Sequence, residues 1–240
     1  MDSNFENKMS KYAKELNIEL SQKQLQDFYD YMSLLLEWNK KINLTAITEI
    51  DEVILKHFID SLTIAKYLKN SDNLVDVGTG AGFPGIPIAI WNENINITLL
   101  DSLNKRILFL NDVINKLNLK NVKTIHGRAE EFGQNSKIRE KYEIVTSRAV
   151  ANLTTLSEYL LPIVRVGGKC ICMKGSKIDQ ELDDAKFAIK EFGGKIEKIE
   201  KFVLPDSDIE RNIIIIKKIK ETPKKYPRKA GMPSKEPLKK

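Results

Sequence analysis

The chain has 240 residues, 42% hydrophobic and 30% charged, enough for one buried core with appendages. No stretch approaches the roughly 20 apolar residues of a membrane span, and polar Met1–Lys14 does not read as a signal peptide, so a cytoplasmic protein is expected. The net charge of +6 is uneven: from Lys217 onward ten Lys/Arg face two acids, whereas residues 1–216 hold 29 basic and 31 acidic groups.

Ser21, with Gln24 three residues on, has the pattern of a capping box. Leu25, Phe28, Tyr29, Met32, Leu35 and Leu36 then recur at helical spacing. A loop is expected around Trp38-Asn-Lys-Lys-Ile-Asn-Leu-Thr45, followed by helices over about 49–58 and 61–69. After Ser71-Asp72 the pattern alternates. Strands are predicted near 74–78, 95–101, 121–126, 142–147, 168–174, 195–203 and 212–219, and helices near 84–91, 104–118, 152–163 and 178–192. Such alternation implies a parallel sheet with right-handed crossovers. Between Phe202 and Asn212 there is no room for a helix, so the last two strands are expected to be antiparallel neighbours. The expected organisation is a helical extension over 1–70, an α/β domain over 71–220 and a basic tail over 221–240.

The segment Val75-Asp-Val-Gly-Thr-Gly-Ala-Gly-Phe-Pro-Gly85 carries the strongest functional signal. A strand ending in alternating glycines lets backbone approach a ligand closely, because no Cβ intervenes. Pro84 and Pro87 fall in the first turn of the following helix, where a missing N–H costs little. Gly80-x-Gly82-x-x-Gly85 satisfies the dinucleotide fingerprint, with Asp101 at a plausible distance for ribose hydroxyls. The competing pattern is acid-x-Gly-x-Gly-x-Gly, Asp76 to Gly82, typical of S-adenosylmethionine sites. Asp76 beside the turn is awkward for a pyrophosphate and suited to an amino-acid ammonium. Asp101 closes the second strand and can accept from a ribose. A sheet ending in an antiparallel pair resembles the class I S-adenosylmethionine-dependent methyltransferase fold, a Rossmann-like seven-stranded, mostly parallel sheet with an antiparallel last strand. These features favour the methyl donor.

Cys170 and Cys172 share one face of a predicted strand, and His57 and His126 are the only histidines. That set gives neither a disulfide nor a Cys/His metal cluster.

Eight ordered segments resemble the bacterial 16S ribosomal RNA guanine-N7 methyltransferases, the glucose-inhibited division protein B family, over nearly the whole chain. They are Trp38–Thr45, His57-Phe-Ile-Asp-Ser61, Asp76–Pro87, Leu100-Asp-Ser-Leu-Asn-Lys-Arg106, Gly127-Arg-Ala-Glu130, Ser147-Arg-Ala149, Met173-Lys-Gly175 and Tyr226-Pro-Arg-Lys-Ala-Gly-Met-Pro233. The resemblance implies that Gly78 and Phe83 line the donor pocket, that Ala129 and Glu130 lie beside the adenine, and that Arg148 stands at the pocket mouth; Gly80 of the glycine motif and Asp101 at the strand end complete the expected cofactor site. It also implies methylation of N7 of guanine 527, in the 530 loop of 16S rRNA, by a monomer acting on the rRNA or the small ribosomal subunit.

The fourth strand ends in Ser147-Arg-Ala149 and not in the Asn/Asp-Pro-Pro-aromatic motif used on exocyclic amines. Methylation at a pyrimidine C5 needs a nucleophilic cysteine, and both cysteines read as buried structural thiols. Guanine N7 carries a lone pair and no proton, so attack there needs positioning and no general base. Lys40-Lys41, Lys105-Arg106 and the tail with Arg228 are candidate phosphate contacts. Two rivals remain at this point: a nicotinamide-dependent oxidoreductase, and a non-catalytic RNA-binding module of ribosome assembly.

Overall fold

The computed structural model describes residues 1–239; Lys240, the end of the expected tail, lies outside the described residues. The chain opens with α1 (Ser3–Glu15), not predicted from the sequence, whose Phe5, Met9 and Ala13 make a narrow buried stripe among polar neighbours. α2 (Gln22–Ile42) starts at the expected capping box, with the Ser21 N–H donating to Gln24 Oε1 at 2.8 Å and the Gln24 N–H to Ser21 Oγ at 3.3 Å. It continues through the segment read as a loop from Trp38. The Trp38 indole N–H donates to Asp112 and its ring packs edge-on against Phe109, which anchors one further turn before Asn43 ends the helix at φ +46°. The two helices predicted over 49–69 are one continuous helical run. It comprises α3 (Ile50–Val53), a π-helical segment Ile54–Ile59 and α4 (Asp60–Leu62), with a 3-10 turn at Ala65–Tyr67. No proline or glycine interrupts residues 50–67, so nothing in the backbone chemistry forces a break.

The sheet holds β1 (Asn73–Val77), β2 (Asn96–Asp101), β3 (Val122–His126), β4 (Tyr142–Arg148), β5 (Val164–Lys174), β6 (Gly194–Val203) and β7 (Glu210–Lys218), in the order β3-β2-β1-β4-β5-β7-β6. β1 to β5 pair in parallel, and β7 runs antiparallel to both β5 and β6. This is the expected class I methyltransferase sheet. β5 begins earlier than predicted, at Val164; Gly167 at φ +86° and a register shift opposite Tyr142–Ile144 disguise its start.

Helices α5 (Gly85–Trp91), α6 (Asn104–Lys116), α8 (Leu153–Leu160) and α9 (Asp179–Glu191) match the predicted ones, and the short α7 (Ala129–Gln134) and α10 (Met232–Lys235) are additional. Two cores result. α1, α2 and the π segment pack with α5 and α6 on one face of the sheet, while α8 and α9 cover the other. Strand order reverses between β1 and β4, and the crevice beyond the carboxyl ends of those strands is where such sheets bind ligands. Gly78 follows β1 and Arg148 ends β4, so both lie at that crevice.

Candidate active site

The turn after β1 is tied down from inside. The N–H groups of Gly78 and Thr79 donate to the Leu100 carbonyl, that of Gly80 to the Asp101 carboxylate, and those of Gly82 and Phe83 to the Thr79 carbonyl. The Gly85 N–H donates to Asp76 and the Ile86 N–H to the Gly82 carbonyl. The Tyr31 hydroxyl, from α2, donates to the Ala81 carbonyl. A pyrophosphate site needs several such N–H groups aimed outward, and here, among the described residues, only that of Ala81 lacks an acceptor within the protein. The Gly78 and Gly80 carbonyls, by contrast, accept nothing from the described residues, which suits a cationic group. Gly78 has φ +68°, and a Cβ there would lie 2.5 Å from Val150 Cγ2 on the loop after β4; only a glycine lets that loop and the turn come so close.

Two acids frame the turn. Asp76 is fully buried, and its Oδ2 accepts from Thr79 Oγ1 at 2.7 Å and the Gly85 N–H at 2.9 Å, while its Oδ1 has no partner. Burial pushes its carboxyl up to about 6, against those bonds, which favour the ionised form. An unpartnered acceptor this deep marks the place for a donor group. Asp101, at the end of β2, accepts from the Gly80 and Leu103 N–H groups at 2.9 Å each and from Arg106 at 3.2 Å.

Phe83 lies under Arg148, whose guanidinium is 4.9 Å from the ring centroid, and against the His57 ring at 4.3 Å. Ala129 and Glu130 open α7 just past β3, next to the Gly127 N–H that donates to the Asp101 carbonyl. The Glu130 carboxylate is turned elsewhere: it is buried and accepts from the Gly231 N–H at 2.8 Å. It therefore clasps the tail, a role with no local signal at Glu130.

That tail is folded. Tyr226 is buried edge-on against Phe192, Arg139 donates to the Thr222 and Tyr226 carbonyls, and Thr155 Oγ1 donates to the Pro233 carbonyl. Arg228, expected as a phosphate contact, is paired inside the protein with Glu158 of α8 through Nε at 2.9 Å and Nη2 at 2.7 Å. Lys40 and Lys105 are exposed, and Arg106 is engaged with Asp101.

Arg148 joins the crevice to the helical extension. Its Nη1 donates to the Lys56 carbonyl at 3.0 Å and Asp60 Oδ2 at 3.1 Å, and its Nη2 lies 3.2 Å from His57 Nδ1. His57 Nε2 meets Thr45 Oγ1 at 2.8 Å. Burial, and then the Arg148 charge, push His57 down to about 3, so the imidazole is neutral and both ring nitrogens are engaged. It is not a free base. Beyond Arg148 opens a cavity of about 410 Å³ walled by Asp60, Arg148, Met173, Phe202, Arg211 and Asn212. Asp60, Arg211 and Asn212 were not singled out in the sequence; Asp60 falls within the His57–Ser61 motif, but nothing local marks the other two. Cys170 and Cys172 are buried in β5, and burial pushes the Cys172 thiol up to about 12, which removes them as nucleophiles.

The sequence model of the GidB family, described as rRNA small subunit methyltransferase G, matches residues 24–214. A relative from Clostridium beijerinckii named Ribosomal RNA small subunit methyltransferase G is 52% identical, covering 96% of this chain and 98% of its own length. One of the same name from Desulforamulus reducens is 54% identical, covering 94% and 95%. Among solved structures, a SAM dependent methyltransferase from Aquifex aeolicus is similar with TM-score 0.51 at 15% identity, over 65% of this chain and 89% of that one. M. jannaschii TYW2 in complex with AdoMet is similar with TM-score 0.53 at 15% identity, over 68% and 76%. At that identity they speak for the fold.

Proposed function

The chain belongs to the family of rRNA small subunit methyltransferase G, and on that premise we propose that it transfers a methyl group from S-adenosylmethionine to N7 of a guanine in 16S ribosomal RNA, the 530-loop guanine 527. It acts as a cytoplasmic monomer on the rRNA or the small subunit; no helix of the described residues is long and apolar enough to cross a membrane. The observation that carries the choice of cofactor is a glycine turn whose N–H groups, Ala81's excepted, are bonded inward, beside two open carbonyls and the unpartnered Asp76 Oδ1. That donor set repels a pyrophosphate and accepts an ammonium.

When bound, the donor supplies an electrophilic sulfonium methyl. Gly78 and Gly80 hold its amino-acid end through their carbonyls, with Asp76 beneath. Asp101 would face the ribose hydroxyls, Ala129 and the backbone of Glu130 would flank the adenine, and Phe83 would form an apolar wall. Arg148 closes the mouth. No residue has to remove a proton, because guanine N7 has none; the neutral, fully engaged His57 is consistent with catalysis by positioning. As N7 attacks, positive charge leaves sulfur and appears on the purine, so the site needs fixed dipoles and not an acid–base pair.

Small subunits from cells lacking the modification, incubated with labelled donor and then digested for nucleoside mass spectrometry, are expected to contain 7-methylguanosine at a single position. Gly78→Arg, which puts a side chain on a left-handed backbone against Val150, is expected to abolish incorporation. Activity surviving in that variant would refute the pocket. Calorimetric binding of NADPH with none of adenosylhomocysteine would refute the cofactor.

A further inference from the structure

The segment Ile54–Ile59 is π-helical, and such turns are rare and occur mostly as single insertions at functional sites. The Asp60 N–H bonds back to the carbonyls of His57 and Leu55, and not to that of Lys56, where an α-helix would send it. The Lys56 carbonyl, so relieved, accepts from Arg148 Nη1 at 3.0 Å. Asp60 Oδ2 accepts from the same nitrogen at 3.1 Å, and His57 Nδ1 lies 3.2 Å from Arg148 Nη2. One irregular turn thus presents a carbonyl, a ring nitrogen and a carboxylate to a single guanidinium at the end of β4.

The contact with Arg148 decides the chemistry of the His57 ring. A guanidinium only donates, so Nδ1 accepts, and the one proton of the neutral imidazole sits on Nε2. That proton meets Thr45 Oγ1 at 2.8 Å, an oxygen that also accepts from the Ile47 N–H at 3.0 Å. The other tautomer would set an Nδ1–H against an Nη2–H. Meanwhile the ring lies flat on Phe83, with planes 15° apart and centroids 4.3 Å apart, and the Arg148 guanidinium stands 4.9 Å from the same Phe83 centroid. A single imidazole, 8% exposed, touches both the wall and the mouth of the donor pocket.

We propose that His57 is a positioning residue of the methyl transfer, whose bare Nδ1 hooks the Arg148 guanidinium over the donor pocket. The inference rests on the function proposed above. With Nη1 spent on Lys56 and Asp60 and one Nη2–H on His57, Arg148 keeps its Nε–H and second Nη2–H without a protein partner among the described residues. Those two donors are aimed by the three acceptors of the π turn, and they meet the donor molecule or the RNA from a fixed place. His57 itself touches neither reacting atom and carries no proton in the reaction.

Two variants separate the hook from the mere filling of space. In His57→Asn the carboxamide oxygen stands close to the place of Nδ1 and can still accept from Arg148. In His57→Gln the amide reaches the place of Nε2 and Thr45 and leaves Arg148 without that acceptor. Both lose the ring on Phe83, so the difference between them reads the hook alone. His57→Gln is expected to lower kcat for methylation of small subunits by up to about a hundredfold, the cost of an ångström of misplacement, with KM unchanged; His57→Asn is expected to recover most of the rate. Nitrogen-15 NMR of the wild-type protein near neutral pH is expected to show His57 protonated at Nε2 and bare at Nδ1, with the signals of His126, the other histidine, assigned through His126→Gln. A proton on Nδ1 would overturn the proposal, as would equal rates in folded His57→Asn and His57→Gln. If the wild-type protein methylates no rRNA, it is the proposed function that fails, and the NMR result still decides the hook.

Discussion

Arg228→Ala is expected to destabilise the protein by about 2–3 kcal/mol. Glu158 is 1% exposed and accepts from the Arg228 N–H, Nε and Nη2 at 2.8, 2.9 and 2.7 Å. Removing one partner of a buried ion pair costs roughly 3–5 kcal/mol, because the remaining charge is stranded. Two features reduce that here: the arginine side chain is 21% exposed, so water can reach the vacated space, and the backbone N–H bond survives the substitution. For a chain of this size each kcal/mol moves the midpoint by about 2–4 °C, so thermal unfolding followed by circular dichroism should shift by about 5–10 °C. Urea unfolding of Arg228→Ala, Glu158→Gln and the double variant should give a coupling above about 1 kcal/mol. A loss under about 0.5 kcal/mol, the scale of ordinary surface substitutions, would refute the reasoning. It would return Arg228 to the role its sequence context suggests, a phosphate contact whose removal weakens RNA binding and leaves stability intact.

Three further expectations follow from the crevice. His57 takes no proton in the folded state until about pH 3, whereas the unfolded imidazole takes one near 6.5, so its share of stability is present above 6.5 and is lost on acidification. Between pH 7.5 and 5 the wild type should lose about 2 kcal/mol more than His57→Gln in urea titrations; equal losses would contradict the burial argument, and the variant is the proper reference because Asp76 acts with the opposite sign. The raised Asp76 carboxyl, near 6, favours the folded apoprotein at low pH and gives that stability up as pH rises from about 4 through 6. If its ionised form meets the donor's ammonium, calorimetric affinity for adenosylhomocysteine falls below pH 6 by up to about tenfold per unit, and an affinity flat from pH 5 to 7.5 rules that contact out. Gly85→Ala is expected to cost more stability than Gly80→Ala. At 85 a Cβ would lie 2.2 Å from Leu99 Cδ2, overpacking worth about 1–3 kcal/mol, whereas at 80 it meets open space and only the φ of +63° is penalised, about 1 kcal/mol. The reverse order of midpoints would show the turn to be held otherwise.

The sheet was legible because each strand is a short apolar run between turn residues, and because 202–212 leaves no room for a crossover. What escaped depends on distant packing. α1 has only Phe5, Met9 and Ala13 as an apolar stripe, and these have meaning only against the π segment and α2. The polar run after Trp38 reads as a loop until Asp112, on another helix, holds the indole. Likewise, the glycine turn and its two acids lie within one strand–turn–helix–strand unit, from Asp76 to Asp101, and can be read directly. The charged cluster around Arg148 cannot: Asp60 meets Arg148 across 88 residues and Arg211 across 151, distances at which no period or motif links them.

The tail shows how far composition reaches. Its charge was countable but its destination was not: Arg228 is spent inside the protein on Glu158, and Lys218, at the end of the strand before the tail, on Glu140 at 2.8 Å. Removing residues 221–240 would therefore confound lost charge with lost structure, since Tyr226 and Gly231 hold the strap to the domain. Lys224, Lys229 and Lys235 are exposed on a strap that is itself fixed, so replacing all three with Gln removes charge alone. If they meet phosphates, the slope of log affinity against log salt for small subunits should fall by about 2, roughly 0.7 per contact on single strands, with the unfolding midpoint unchanged. An unaltered slope would mean that the tail's net charge has no part in RNA binding, and that the strap serves the fold through Arg228, Tyr226 and the clasp at Glu130.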